Sequence, residues 1–194
     1  MSTLARDLTL DADRVYARLM VRAAGDGNDR AFASMIATRA AGGGALPAWL
    51  GLEVTDFHHL MAHHFPGISP DVLTAMDGQS PVTSNRLDER EELLQLLLTQ
   101  RAERTPSEVW MAQVIAAGCM ANDHLWQDLG LWDRKELTEL MRRNFPELAA
   151  RNDKDMKWKR FLYKQLCESE GIYVCRAPSC SVCADYHVCF GPEE

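Results

Sequence analysis

Apolar residues recur along this chain at intervals of three and four, as in Val15, Leu19 and Met20, then Phe32, Met35 and Ile36, then Leu93, Leu96 and Leu97. That is the period of α-helices with a buried face, and no run alternates apolar with polar as a half-buried strand would. Helix starts are marked in register with it. Thr105 precedes Pro106 and stands three residues before Glu108, a capping box with proline at the first helical position, and Ser69-Pro70 and Asp133 with Glu136 look similar. The pattern predicts an all-α protein, a helical bundle, with helices near 11–24, 29–41, 53–65, 70–76, 86–103, 106–120, 133–144 and 155–170, bounded to within about 2–4 residues.

A second regularity is longer. Leu50-Gly51-Leu52 precedes Leu60-Met61-Ala-His-His-Phe65-Pro66, and Leu129-Gly130-Leu131 precedes Leu140-Met141-Arg-Arg-Asn-Phe145-Pro146, an offset of 79 to 80 residues. Upstream, Ala33, Ile36 and Ala37 align at 79 with Ala112, Ile115 and Ala116. A duplicated unit is expected over about 30–68 and 109–148, a helix, a glycine-containing loop and a second helix ended by Phe-Pro, with chance similarity between amphipathic helices as the alternative. Two such copies make a compact bundle, not an open solenoid. Gly42-Gly43-Gly44 must be a loop, and residues 77–85 form a turn-rich connection between the halves. The helical pattern stops after Gly171. The expected organisation is a helical body over residues 1–171 and a cysteine-rich tail over 172–194, too short to order itself around a core of its own.

Composition narrows the classes. With 46% hydrophobic residues in 194, the chain can bury a full core. Its net charge of −7 and pI near 5.4 lack the clustered basic excess that nucleic-acid binding calls for. No membrane partner is expected: about 18 uninterrupted apolar residues occur nowhere, and the N-terminus is a poor secretory signal. The expected compartment is the cytoplasm, where six cysteines read as thiols or metal ligands more readily than as a disulfide framework.

Four of those cysteines lie in the tail, as Cys175-x4-Cys180-x2-Cys183-x5-Cys189. A two-residue gap lets two sulfurs converge on one metal or cluster, and the longer gaps bring the outer thiols to other corners. Backbone N–H groups in such a loop can face sulfide and offset its charge. An iron–sulfur cluster is the first expectation. Zinc is the alternative, although structural zinc usually joins two short-gap pairs and here there is one; redox or disulfide chemistry is a third. Soft thiolates suit all of them. His187 is an additional ligand candidate. Cys167 and Cys119, both on predicted helices, read as small buried hydrophobes.

His58, His59, His63 and His64 share one predicted helix, and His59 with His63 has the i, i+4 spacing that puts two imidazoles on one face, able to chelate a metal. The alternative is an ordinary solvated face. Between Arg151 and Lys164 six cationic side chains stand against two acidic ones, a basic stretch that leads toward the tail and could offset a cluster's charge, receive an oxyanion or dock an acidic partner, the alternative being an ordinary solvated face interleaved with core residues Trp158, Phe161, Leu162 and Leu166. No nucleophile–base pair, phosphate loop or paired-carboxylate arrangement is visible. The reading is therefore of a metal carrier and not an enzyme, with a zinc-stapled interaction module or an electron carrier as rivals.

Three stretches together resemble the NifQ family of nitrogen-fixation proteins: His124-Leu-Trp-Gln-Asp-Leu-Gly-Leu131, then Asp155-Met-Lys-Trp-Lys-Arg-Phe161 with Gln165-Leu-Cys167, then the four-cysteine tail. The resemblance covers roughly residues 106–191. It implies an iron–sulfur protein carrying a molybdenum–iron–sulfur cluster on Cys175, Cys180, Cys183 and Cys189. It also implies donation of molybdenum, taken up as molybdate, for nitrogenase iron–molybdenum cofactor biosynthesis, with the NifEN scaffold and NifH as partners.

Overall fold

The computed structural model describes residues 11–69 and 86–169. The helix expected near 70–76, the turn-rich connection, and the tail with Cys175, Cys180, Cys183, His187 and Cys189 lie outside the described residues. Those described are helical throughout, with no strand among them: α1 (Ala12–Met20), α2 (Asp29–Ala40), α3 (Val54–His64), α4 (Leu87–Thr99), α5 (Ser107–Cys119), α6 (Leu125–Asp128), α7 (Arg134–Asn144), α8 (Pro146–Ala150) and α9 (Trp158–Ser169). The all-α expectation holds. Three short elements were not predicted: α6, α8 and the turn Ala48–Gly51, each too brief to show a helical period.

Helices α2 and α5 form the centre. Ten residues of each are buried, far more than one face supplies, as befits helices covered on all sides. Helix α1 packs along α2 and α4 along α5, while α3, α6 and α7 close over them. Phe32, Phe57, Phe65, Phe145 and Phe161 fill the interior.

Both Phe-Pro pairs end their helices, because the proline ring clashes with a helical conformation at the residue before it. Phe65 stands at φ −134°, ψ 62° and Phe145 at φ −135°, ψ 61°. Local geometry recurs elsewhere too, at offsets of 78 to 80. Leu60 and Met61, like Leu140 and Met141, are buried. The Ala24 N–H donates to His64 O at 3.0 Å, and the Ala102 N–H to Asn144 O at 2.8 Å. Gly51 and Gly130 both take left-handed φ, +79° and +75°.

Those glycine loops are exchanged between the halves. Thr38 on α2 donates to Gly130 O at 2.7 Å, and a Cβ on Gly130 would stand 2.9 Å from Thr38 Cβ. On the other side a Cβ on Gly51 would stand 2.7 Å from Cβ of Ala117, the residue 79 beyond Thr38. Where the halves meet, Asn28 donates to Ser107 Oγ at 2.6 Å and to Asn144 Oδ1 at 2.7 Å, and Asn144 returns a bond to Asn28 Oδ1 at 2.9 Å. All three side chains are buried, so the bonds satisfy groups that water cannot reach.

Helix caps follow the sequence in part. Asp133 Oδ1 accepts the Glu136 N–H at 2.7 Å and Glu136 Oε2 accepts the Trp132 N–H at 3.0 Å, a capping box displaced by one residue on its return bond. The box expected at Thr105 does not form. Glu108 instead reaches back to the N–H groups of Glu103 and Arg104, at 2.7 and 3.1 Å, because Glu103 sits at φ 57° and turns both donors toward it.

Candidate functional site

Two clusters of polar chemistry stand out in the described body. The first lies where α3 ends against the loop before α2. His64 is at i+7 from Phe57 and i+4 from Leu60, which puts it on the core side of α3, and its side chain is 0% exposed. Its Nδ1 lies 2.7 Å from Asp29 Oδ1. An ionised carboxylate can only accept, so Nδ1 carries the proton and Nε2 is left with a bare lone pair. That Nε2 is buried and makes no hydrogen bond. Burial pushes the His64 pKa down, against the pull of the Asp29 hydrogen bond, so the ring is neutral.

Beside it, His63 Nε2 stands 3.2 Å from Asp26 Oδ2. Burial alone would raise the Asp26 pKa, but the bond from the Asn28 N–H and the contact with His63 outweigh it and hold the carboxyl below its ordinary value. One ligand atom from each of Asp26, His63 and His64 lies within 4.8 Å of the others. Trp110 of α5 covers the two rings edge-on, at 5.7 Å from His63 and 6.1 Å from His64.

The second cluster docks α9. Lys159 donates to Ala121 O at 3.0 Å and Asp123 O at 2.8 Å, carbonyls just past the C-terminus of α5, and forms an ion pair with Asp128 of α6. A cation there meets both the negative end of the helix dipole and a carboxylate that is only 1% exposed. Burial raises the Asp128 pKa, and the Lys159 hydrogen bond and charge offset only part of it. Arg86 donates to Met120 O at 2.6 Å and to Tyr163 Oη at 2.9 Å, and pairs with Glu89, so α4, α5 and α9 are tied at one point.

These clusters sort the sequence expectations. His59 is exposed and takes no part in the three-residue group; His63 pairs with its chain neighbour His64 and with Asp26, because the loop before α2 brings Asp26 to the end of α3. The basic stretch is not one solvated face: Lys159 is withdrawn into the body as an anchor, while Lys154 and Lys164 remain exposed. Cys119 is buried, as expected, and its thiol pKa is pushed up by burial to about 12. Cys167 is only partly buried. Asp26, Asp29 and Asp128 were not singled out. The core-face register of His64 was one available signal and the family-like stretch 124–131, which contains Asp128, another; nothing in the local sequence marks Asp26 or Asp29.

The described residues thus form an all-helical bundle in which α9, the last described helix, is anchored through Lys159. The profile of the NifQ family matches residues 31–191, and the chain belongs to that family. It is 46% identical over 156 residues to "Protein NifQ" of Azotobacter vinelandii, covering 76% of this chain and 80% of that one. To "Protein NifQ" of Klebsiella pneumoniae it is 36% identical over 162 residues, 77% of this chain and 90% of the relative. The Rhodobacter capsulatus protein of the same name is 34% identical over 155 residues, 79% and 82% of the two chains. No solved structure matches. Family membership gives the protein a role in nitrogen fixation. Among the described residues no helix is long and apolar enough to cross a membrane.

Proposed function

We propose that this protein binds an iron–sulfur cluster on Cys175, Cys180, Cys183 and Cys189, takes up molybdenum there, and donates it for biosynthesis of the nitrogenase iron–molybdenum cofactor. It acts as a carrier in the cytoplasm and not as an enzyme, drawing on molybdate and delivering to the NifEN scaffold together with NifH. The observation that carries this reading is the family match, which runs to residue 191 and so includes all four tail cysteines. The donor set fits: four soft thiolates within fifteen residues suit thiophilic metals and iron–sulfur clusters.

The test is anaerobic purification with iron, sulfide, zinc and molybdenum analysis and visible absorption, followed by molybdenum transfer in a cofactor-synthesis assay containing NifEN and NifH. A brown protein whose molybdenum supports synthesis is expected. Colourless zinc protein overturns the cluster assignment in favour of a zinc-stapled module, and iron without any capacity for molybdenum leaves an electron carrier. Full iron and molybdenum content in each of the four Cys→Ala variants overturns the assigned ligands.

A further inference from the structure

The cluster at the end of α3 has no part in the function just proposed. Its make-up is that of a metal site. Two imidazoles and one carboxylate are the protein ligands of many zinc and non-haem ferrous centres, and they leave coordination positions open. Two ligands held about 2.0–2.1 Å from a tetrahedral ion stand about 3.3–3.4 Å apart. His63 Nε2 and Asp26 Oδ2 are already separated by 3.2 Å. His63 is 38% exposed and can rotate to close on the third ligand, which lies within the 4.8 Å span.

The supporting shell is of the same kind. Ligating histidines usually donate their other ring N–H to a carboxylate, which fixes the tautomer and raises basicity. The Asp29–His64 pair has that arrangement, with the proton on Nδ1 and a buried, unpartnered Nε2. A buried polar atom left without a partner is costly, and one ring nitrogen of His64 belongs to the three-residue ligand group. Asp26 and Asp29 together also bring two negative charges to a divalent cation, partly offset by Arg143, whose guanidinium packs on Gly27.

At an offset of 78 to 80 residues similar local bonds occur with other side chains. There the backbone bond is Ala102 N–H to Asn144 O, the counterpart of Ala24 to His64, and Glu103 donates to Glu108 Oε2 at 2.7 Å as Gly25 donates to Asp29 Oδ2 at 2.7 Å. Yet Arg143 and Asn144 stand where His63 and His64 do, and Arg104-Thr105 falls where Asp26 does. One backbone frame therefore carries a ligand set in one half and cations in the other.

We infer that Asp26, His63 and His64, with Asp29 orienting His64, form a second metal site that binds one divalent first-row transition ion such as zinc or ferrous iron. It is independent of the tail. The test uses the full-length chain with Cys175, Cys180, Cys183 and Cys189 all changed to Ser, titrated with Zn(II) against a chromophoric chelator and with Co(II) by visible absorption. One equivalent is expected. His63→Ala and Asp26→Asn should each weaken binding about ten-fold or more, and Asp29→Asn by roughly 10–100-fold. His63 is partly exposed and asparagine at 26 can still accept the Asn28 N–H, so both ligand variants should keep the parent's helical circular dichroism. The inference is overturned if the four-serine chain binds no ion, or if His63→Ala and Asp26→Asn bind as tightly as their parent.

Discussion

Lys159→Met separates docking of α9 from the rest of the fold. Methionine keeps most of the stem but removes the ammonium from Ala121 O, Asp123 O and the Asp128 carboxylate, whose side chain is 1% exposed. Asp123 N, at 3.4 Å, is then its remaining bond from a neighbouring backbone group. Taking one partner from a buried ion pair typically costs 3–5 kcal/mol, because a charge stays behind uncompensated. For a chain of this length the loss corresponds to roughly 6–20 °C in Tm.

The pH dependence follows from the same pair. Burial already raises the Asp128 pKa, and removing Lys159 raises it further. A carboxyl with a folded-state pKa above its unfolded value binds its proton more tightly when folded, so the native state gains stability as pH falls through that folded value. The deficit of Lys159→Met should thus be largest near neutral pH and shrink toward about pH 5. Urea unfolding followed by circular dichroism at both pH values measures it, and Lys159→Met with Asp128→Asn, which leaves no buried charge, should recover much of the loss. A single variant within 1 kcal/mol of the parent, or a deficit that grows as pH falls, would refute the reasoning.

The remaining predictions concern the core. Asn144→Leu strands the acceptor and one of the two N–H donors of buried Asn28, the other still reaching Ser107, and should cost roughly 2–3 kcal/mol in urea unfolding. Gly130→Ala must place a Cβ at φ +75° and 2.9 Å from Thr38 Cβ; about 2 kcal/mol or more is expected in thermal unfolding, beyond the 1–2 kcal/mol of a left-handed residue alone. Cys119, with its pKa pushed to about 12 in the core, should resist iodoacetamide in the folded protein and react once urea unfolds it, as read by peptide mass mapping.

Much of the body was legible in the sequence because helix periodicity and proline are local signals. The Phe-Pro stops at Phe65 and Phe145 fell within a residue of expectation, and Asp133 capped as its spacing implied. Two kinds of feature were not legible. Thr105 lost its cap to Glu103, whose left-handed backbone is set by tertiary contact with α7 through Ala102 and Asn144. The polar clusters failed for a related reason. Asp26 lies 37 residues from His63 and Asp128 31 residues from Lys159, so no spacing rule for a single helix could pair them. The i, i+4 rule chose His59 for His63, whereas the loop before α2 supplied the actual neighbour.

The two segments share local backbone geometry at Phe65 and Phe145 and at Gly51 and Gly130, and differ in the side chains nearby. At the end of the second helix, the first half has His63 and His64 and the second has Arg143 and Asn144. In the glycine loop the comparison runs the other way. Asp128, which receives Lys159, stands 79 residues beyond Trp49, a left-handed residue packed 5.3 Å from Phe57. The contacts of Lys159 and Asp128 and those of Asp26, His63 and His64 have no residue in common. The two places should accordingly respond to mutation independently, with Lys159→Met leaving zinc affinity at Asp26, His63 and His64 within about two-fold of its parent in the four-serine chain, as expected for sites without shared partners.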